Sequence, residues 1–393
     1  LLIIMSLTNK ERGTNMFYEY IKNNPQWNLQ INRQLEGIKE SSKVKDDLKI
    51  IIPKLTNDAS WYKTWFSFGE LREKEEDHAL ACAYFGLAQF YLNQDDENRQ
   101  TVVHRYLNNF YRAHTEIDYE SYQVPYQKTF LPAIKVNINP TATKILIIIN
   151  GFDSFMEEIL VAVNFFKGTD YNVILFDGPG QGRALIDNNI KCTPYFENPV
   201  SAIIDYFNLD EVDAMGVSWG GYFVIRAAAY EKRIKNVVCY DFFYDGLNTF
   251  LKDFSKDTRN HIRQLLQNND VEKTNQLIPT LIHSDANLNF LFTKDYENTG
   301  TDTPYSLLKE IERHTVKGIG HLVNQNVLLL AGKDDQYVPF NDLVLEQQEL
   351  TNAKSLETKI FTKETGGEQH CQAGRYDLAL VAIQKFLAAH SED

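Results

Sequence analysis

The chain has 393 residues and a mass of 45.4 kDa, room for one large domain with insertions or for two ordinary ones around a sizeable core. Apolar residues at 43% and charged residues at 24% exclude a disordered or collagen-like chain, and a net charge of −13 argues against a non-specific binder of nucleic acid or anionic membrane. The 24 Phe, 21 Tyr and 4 Trp favour pockets with apolar or ring-shaped contents.

The cysteines Cys82, Cys192, Cys239 and Cys371 lie far apart with no CxxC pair, which is neither a disulfide framework nor a zinc knuckle and fits a reducing compartment. There is no HExxH and no His or Cys cluster with ligand spacing, so neither a metal nor an organic cofactor is expected. No stretch approaches the roughly 20 apolar residues needed to cross a bilayer. The apolar opening Leu1–Met5 is too short for a secretory core, and Met5 or Met16 is a possible true start. A cytoplasmic protein without membrane attachment is the expectation.

In chain order, residues 1–118 carry only helical signals. Apolar spacing predicts helices over Glu75–Asn93 and Arg99–His114, without a fixed repeat period, so this region reads as a helical N-terminal domain. Extended segments at Tyr122–Phe130 and Ala133–Asn137, joined near Pro132, read as a β-hairpin. From there the pattern changes to short apolar runs: Lys144–Ile149, Tyr171–Phe176, Val212–Val217, Asn236–Tyr240 and Asn326–Leu330. Each is rich in branched residues and bounded by turn residues, as strands buried on both faces of a parallel sheet are. Helix-like stretches such as Gly221–Glu231 alternate with them, which predicts an α/β core. The alternation is broken between Asp245 and Gly320, where Thr249–Asn268 and Ser306–Arg313 look helical. An interval of about 75 residues far exceeds the usual connection of roughly 2–6, and it reads as an inserted lid over the carboxyl ends of the strands, a helical excursion padding the core being the bland alternative. The expected division is therefore 1–118, 119–244, 245–320 and 321–393.

The most informative segment is Gly216-Val217-Ser218-Trp219-Gly220-Gly221, between a strand and a helix. Small residues two before and two after Ser218 permit a sharp turn that lifts its hydroxyl above the sheet. A serine hydroxyl is a weak nucleophile, so a base and an orienting acid are needed; in folds that carry a serine on such a strand-to-helix turn they follow it in the order acid, then His. His370 lies in a glycine-flanked loop, Gly366–Gly374, between the strand-like Thr358–Phe361 and the closing helix, and it reads as the general base. His390 sits near the end of the chain, where a frayed tail is expected, and His314 and His321 at the end of the insertion read as structural. For the acid, Asp334 and Asp335 follow the strand Asn326–Leu330, with at least one expected to serve a turn, and Asp241 after the preceding strand is in reserve.

On these motifs the chain resembles the α/β-hydrolase superfamily: a mostly parallel central sheet flanked by helices, here with an N-terminal helical domain and a helical lid. The segment Gly332–Pro339 matches that superfamily's GxxDxxVP acid loop, which selects Asp335. The resemblance also implies two oxyanion donors, the backbone N–H groups of Trp219 and of Phe152 in Asn150-Gly151-Phe152-Asp153-Ser154, where Asn150 replaces the usual His. Phe176-Asp177-Gly178-Pro179-Gly180-Gln181-Gly182 is a further hallmark, and without a P-loop lysine it is no nucleotide site. The helical N-terminus, these loops and the Glu368–Gly374 loop are similar to the branch holding 2,6-dihydroxypseudooxynicotine hydrolase and the polyketide-shortening hydrolases of fungal naphthopyrone and bacterial anthraquinone pigment pathways.

That branch implies hydrolysis of a C–C bond in a β-dicarbonyl, polyketide or aryl ketone, with no cofactor, through an acyl-enzyme on Ser218. A substrate delivered on an acyl carrier protein and a homodimer through the N-terminal helices are implied in the same way. Trp219, Phe242, Phe243 and Tyr244 either line a flat pocket beneath the lid or belong to the core. A carboxylesterase or peptidase with the same residues, or a catalytically silent binding protein on this fold, are the alternatives.

Overall fold

A computed structural model describes residues 17–152, 154–283 and 286–391, so both possible start methionines and the apolar opening lie outside the described residues. The chain divides into two compact units: residues up to Asp118 together with Ala373–Arg375, and Tyr119–Gln372 together with Tyr376–Asp393.

The first unit contains α1 (Pro25–Gln34), α2 (Ser42–Ile51), α3 (Asp58–Lys74), α4 (His78–Gln89) and α5 (Arg99–Ala113). Its core is aromatic: Trp61 and Trp65 of α3 are fully buried, and the Trp61 indole donates to the carbonyl of Leu87 across to α4 at 2.7 Å. The helix expected from Glu75 begins later, because Glu76 takes a positive φ of 60° and Asp77 caps the backbone N–H of Leu80. The charged run Glu75-Glu76-Asp77 is thus a turn, as residues that hydrogen-bond their own backbone tend to be.

The second unit is built on an eight-stranded sheet: β1 (Tyr119–Tyr126), β2 (Thr129–Val136), β3 (Lys144–Ile149), β4 (Tyr171–Phe176), β5 (Val212–Val217), β6 (Ile234–Tyr240), β7 (Asn326–Gly332) and β8 (Ser355–Phe361). The spatial order is β1-β2-β4-β3-β5-β6-β7-β8. The pairs β1/β2 and β2/β4 are antiparallel and all the others parallel. Every residue of β4 and β7 is buried, which is why these strands read as unbroken apolar runs rather than alternating ones. The helices α6 (Met156–Leu160), α7 (Gly182–Ile186), α8 (Glu197–Tyr206) and α9 (Trp219–Tyr230) fall between the strands, with α15 (Asn341–Glu349) and α16 (Tyr376–Ala389) near the end of the chain.

The hairpin differs from the sequence expectation. Its turn falls at Gln127-Lys128, and Pro132 sits inside β2, opposite Gln123. Proline is accommodated there because pairing of β2 with β4 begins only at Ala133, while the Pro132 carbonyl accepts from the N–H of Asp177 at 3.0 Å. The left-handed turn position is filled by Gln127 (φ 52°) rather than by Gly or Asn, so the usual sequence signal is missing.

Between β6 and β7 run α10 (Gly246–Phe250), α11 (Lys256–Gln267), α12 (Val271–Ile282), α13 (Ala286–Thr299) and α14 (Pro304–Ile311). The single helix expected at Thr249–Asn268 is two, separated where Ser255 caps the N–H of Thr258. This insertion has its own apolar cluster, including Leu251, Ile262, Ile278, Phe292 and Leu308, distinct from the cluster around the sheet, and Trp219 packs against both. Its two ends are pinned together: Gly246 N–H donates to the His314 carbonyl at 2.8 Å, and Val316 N–H to the Tyr244 carbonyl at 2.9 Å.

Candidate active site

Ser218 occupies the turn from β5 into α9 with φ 60° and ψ −120°, a strained setting for a residue with a side chain. The glycines around it are dictated by contact. A Cβ on Gly216 would lie 1.8 Å from the carbonyl oxygen of Gly220, and one on Gly220 would lie 2.5 Å from that of Ile149 in β3. Gly216→Ala therefore forces backbone apart at the turn; we expect it to lower stability by on the order of 2–3 kcal/mol or to prevent folding, read by urea unfolding. A variant as stable as the parent would contradict this account of the turn.

The Ser218 hydroxyl lies 2.8 Å from His370 Nε2, and His370 Nδ1 lies 2.7 Å from Asp335 Oδ2. Three loops at the carboxyl ends of β5, β7 and β8 thus bring serine, imidazole and carboxylate into one hydrogen-bonded chain. Both oxygens of Asp335 are engaged: Oδ1 accepts the N–H groups of Tyr337 (2.6 Å) and Val338 (2.9 Å), so this residue serves its own turn and the imidazole together. Asp334 turns outward to an exposed ion pair with Lys363 at 3.0 Å. Burial disfavours a charged His370, but the facing Asp335 carboxylate more than reverses this, and its pKa stands well above the ordinary 6.5.

Asp241, the reserve acid, is also here. It follows β6 with a φ of 56°, accepts the N–H of Cys371, and stands 3.6 Å from His370 Nδ1. Burial, with the charge of Asp335 adding to it, pushes its carboxyl up to about 7.

The loop after β3 passes beside the serine, since a Cβ on Gly151 would lie 3.3 Å from that of Ser218. The Phe152 and Trp219 rings meet at 4.6 Å. The Phe152 carbonyl accepts from Asn298 Nδ2 of α13 at 3.0 Å, tying the insertion to this loop. Trp219 opens α9, whose first N–H groups lack helical partners and point where negative charge is favoured.

Sequence reasoning missed the groups that hold these loops. Gln181 Nε2 donates to the carbonyls of Asn150 (2.6 Å) and Gly151 (2.9 Å), while its Oε1 accepts from Gly178 N–H. Asp177 accepts from Asn150 Nδ2 and from the N–H groups of Met156 and Arg183, and burial together with Glu157 pushes its carboxyl up to about 8. Both lie in the Phe176–Gly182 motif, where the glycines drew attention and the polar residues went unread. Gln336 Oε1 accepts the N–H of His370 at 3.0 Å and had no sequence signal.

Phe242 and Phe243 are core, 3% and 1% exposed, and Tyr244 directs its hydroxyl to Glu349 on α15. Trp219, next to Ser218 in the chain, packs its ring on Phe152 and Phe243. Fully buried His314 accepts the Trp219 indole N–H at 3.0 Å; burial, with Arg313 and Arg226 nearby, pushes its pKa down to about 3, so it is a neutral support for that ring. His321 is exposed. His390 is not frayed: it packs on Phe386 and meets Glu357 at 2.9 Å. None of the four cysteines forms a disulfide, and no helix among the described residues is long and apolar enough to cross a membrane.

A sequence model of the alpha/beta hydrolase fold matches residues 144–362, more than half of the chain. The chain belongs to this family. Curated relatives include the alpha/beta hydrolase psoB of Aspergillus fumigatus, 29% identical over 257 residues that cover 55% of each protein. Another is the alpha/beta hydrolase ucsC of an Acremonium species, 28% identical over 197 residues covering 42% of this chain and 40% of that one. The chain thus spans about half the length or less of these relatives. Among solved structures, 2,6-dihydroxy-pseudo-oxynicotine hydrolase has the same fold, with a TM-score of 0.66 and 17% identity over 92% of this chain and 94% of that one. Wild-type AbyA5 superposes equally well, at 0.66 and 16% identity over 91% and 94%.

Proposed function

We propose that this alpha/beta hydrolase is a serine enzyme that cleaves a C–C bond in a β-dicarbonyl or polyketide substrate. The observation that carries the hydrolytic part is the continuous chain Ser218–His370–Asp335, with contacts of 2.8 and 2.7 Å. Ser218 Oγ attacks a ketone carbonyl as His370 Nε2 takes its proton, while Asp335 holds the proton on Nδ1 and steadies the imidazolium. The oxyanion develops beside the N–H groups of Trp219 and Phe152. Collapse of the adduct breaks the bond to the neighbouring carbon, whose electron pair leaves as an enolate delocalised onto the second carbonyl and is protonated by His370. Water then adds to the acyl ester, His370 takes its proton, and the acid leaves as Ser218 regains its hydrogen. One water is consumed for each acid and ketone formed.

The choice of a C–C bond is supported by the resemblance of the loops after β3, β4 and β8 to the pigment-pathway and pseudooxynicotine branch, and by the aromatic rings at the serine. The same resemblance extends the proposal to a cytoplasmic homodimer acting in aromatic polyketide synthesis on substrate carried by an acyl carrier protein. Purified protein given an aryl β-diketone and an aryl ester in parallel should convert the diketone to one acid and one ketone, as product masses would show. Rapid ester turnover with intact diketone would overturn the C–C assignment in favour of a carboxylesterase. Inertness to both, with no labelling of Ser218 by a fluorophosphonate, would leave a silent binding protein.

A further inference from the structure

Among the described residues one group of three side chains brings ligand atoms of metal-binding type within 4.8 Å of one another: Asp241, His370 and Cys371. Sequence spacing conceals it, because Asp241 directly follows β6 while His370 and Cys371 lie 129 and 130 positions later. Three bends bring them together. Asp241 (φ 56°), Cys371 (φ 48°) and Gln372 (φ 49°) all adopt left-handed backbone, a costly conformation for such residues. Asp241 is clasped to the loop by the Cys371 N–H, and the Tyr240 hydroxyl donates to the Cys371 carbonyl at 3.0 Å. Asp241 and His370 are buried, whereas Cys371 is partly exposed.

We propose that Asp241, His370 and Cys371 form a site for a thiophilic divalent cation of the Zn²⁺ type, and that occupation of the site at His370 Nδ1 switches the hydrolase off. The donor set is one imidazole, one thiol and one carboxylate, which suits Zn²⁺ and disfavours the oxygen-seeking Mg²⁺ and Ca²⁺. Ligand atoms about 2.0–2.3 Å from a tetrahedral ion stand roughly 3.3–3.6 Å apart. His370 Nδ1 and Asp241 Oδ2 are already 3.6 Å apart, whereas Asp335 Oδ2, hydrogen-bonded to the same nitrogen at 2.7 Å, is too close to ligate as it stands and would have to give up that bond and move outward to serve as a fourth donor.

The inhibitory effect follows from proton bookkeeping. The ion takes the Nδ1 lone pair, so the neutral ring carries its single proton on Nε2, and the Cys371 thiol releases its proton to solvent. An Nε2–H can no longer accept the hydrogen of Ser218, 2.8 Å away. Metal at Nδ1 and base function at Nε2 therefore exclude one another. The site itself stands on geometry, while the switch rests on the hydrolytic reading of Ser218 and His370.

Co²⁺ is the spectroscopic probe, because thiolate ligation gives it a near-ultraviolet charge-transfer band. One equivalent added to the full-length protein should produce that band, Zn²⁺ should bleach it, and Cys371→Ala should abolish it. In parallel, Zn²⁺ should suppress both substrate turnover and fluorophosphonate labelling, with recovery on adding EDTA. Cys371→Ala should keep metal-free turnover and require at least about ten times more Zn²⁺ for half-inhibition. No band in the parent protein, or one undiminished in Cys371→Ala, overturns the site. A normal band with labelling insensitive to Zn²⁺ overturns the switch. A normal band in a protein that is never labelled at Ser218 leaves the site standing and refutes the hydrolase reading instead.

Discussion

Ser218→Ala is expected to fold normally and to lose turnover by on the order of 10⁵–10⁶-fold, because the proposed covalent route requires the hydroxyl. The alanine keeps the backbone of the turn, the N–H of Trp219 and the contacts of Gly216 and Gly220, so its unfolding midpoint should stay near that of the parent. His370→Ala should fall to a similar floor, and the double variant should be little slower than either single one, since nucleophile and base act as a unit. Rates in the two single variants within tenfold of the parent would show that the chain of hydrogen bonds from Ser218 to Asp335 is not the reacting one. Single-turnover rates and fluorophosphonate labelling measure both.

Asp335→Asn should reduce kcat by about 10⁴-fold with little change in fold. An amide that donates to Nδ1 favours the tautomer with its proton on Nε2, which leaves Ser218 facing a donor. The variant should also move the acid limb of the pH profile. Burial alone lowers the His370 pKa and the Asp335 carboxylate raises it, so loss of that charge shifts the limb to lower pH. Asp241 bears on the size of the loss: burial, the main cause of its raised carboxyl, persists once Asp335 is neutral, but the charge of Asp335 that adds to it is gone, and Asp241 becomes the acidic group closest to Nδ1. Adding Asp241→Asn to Asp335→Asn should therefore slow turnover further, and Asp241→Asn alone should cost far less than Asp335→Asn. An unshifted acid limb in Asp335→Asn would remove Asp335 from control of the imidazole.

The sheet was legible in the sequence because strands covered on both faces read as short unbroken apolar runs: Lys144–Ile149 and Tyr171–Phe176 stand out in this way and fold as strands over those same residues. The hairpin was displaced because Gln127 fills a position that glycine or asparagine normally announces. Spacing and chain order pointed to Ser218 and His370, and the loop pattern to Asp335, because each lies in a short glycine- or proline-marked turn that covalent geometry constrains. Asp177, Gln181 and Gln336 were illegible for the opposite reason. Their partners are backbone groups of loops distant in sequence, such as the carbonyls of Asn150 and Gly151 and the N–H of His370, and no local pattern encodes them. The proximity of Asp241 to His370 belongs to the same class: it depends on β6, β7 and β8 lying side by side, a fact of topology.

The pinned ends of the segment between β6 and β7 bear on how such a protein can diversify. Because Tyr244–Gly246 and His314–Val316 already touch through hydrogen bonds, the scaffold registers the inserted helices as a loop whose closure is fixed at its base. Loop-closure entropy grows only with the logarithm of length, so shortening, lengthening or exchanging the intervening helices would disturb the sheet little. Their separate apolar cluster lets them be replaced as a cassette, with Trp219 the principal residue that must suit both the old frame and the new cover. Substrate range could thus evolve by grafting, while the turn at Ser218 and its hydrogen bonds to His370 and Asp335 stay untouched.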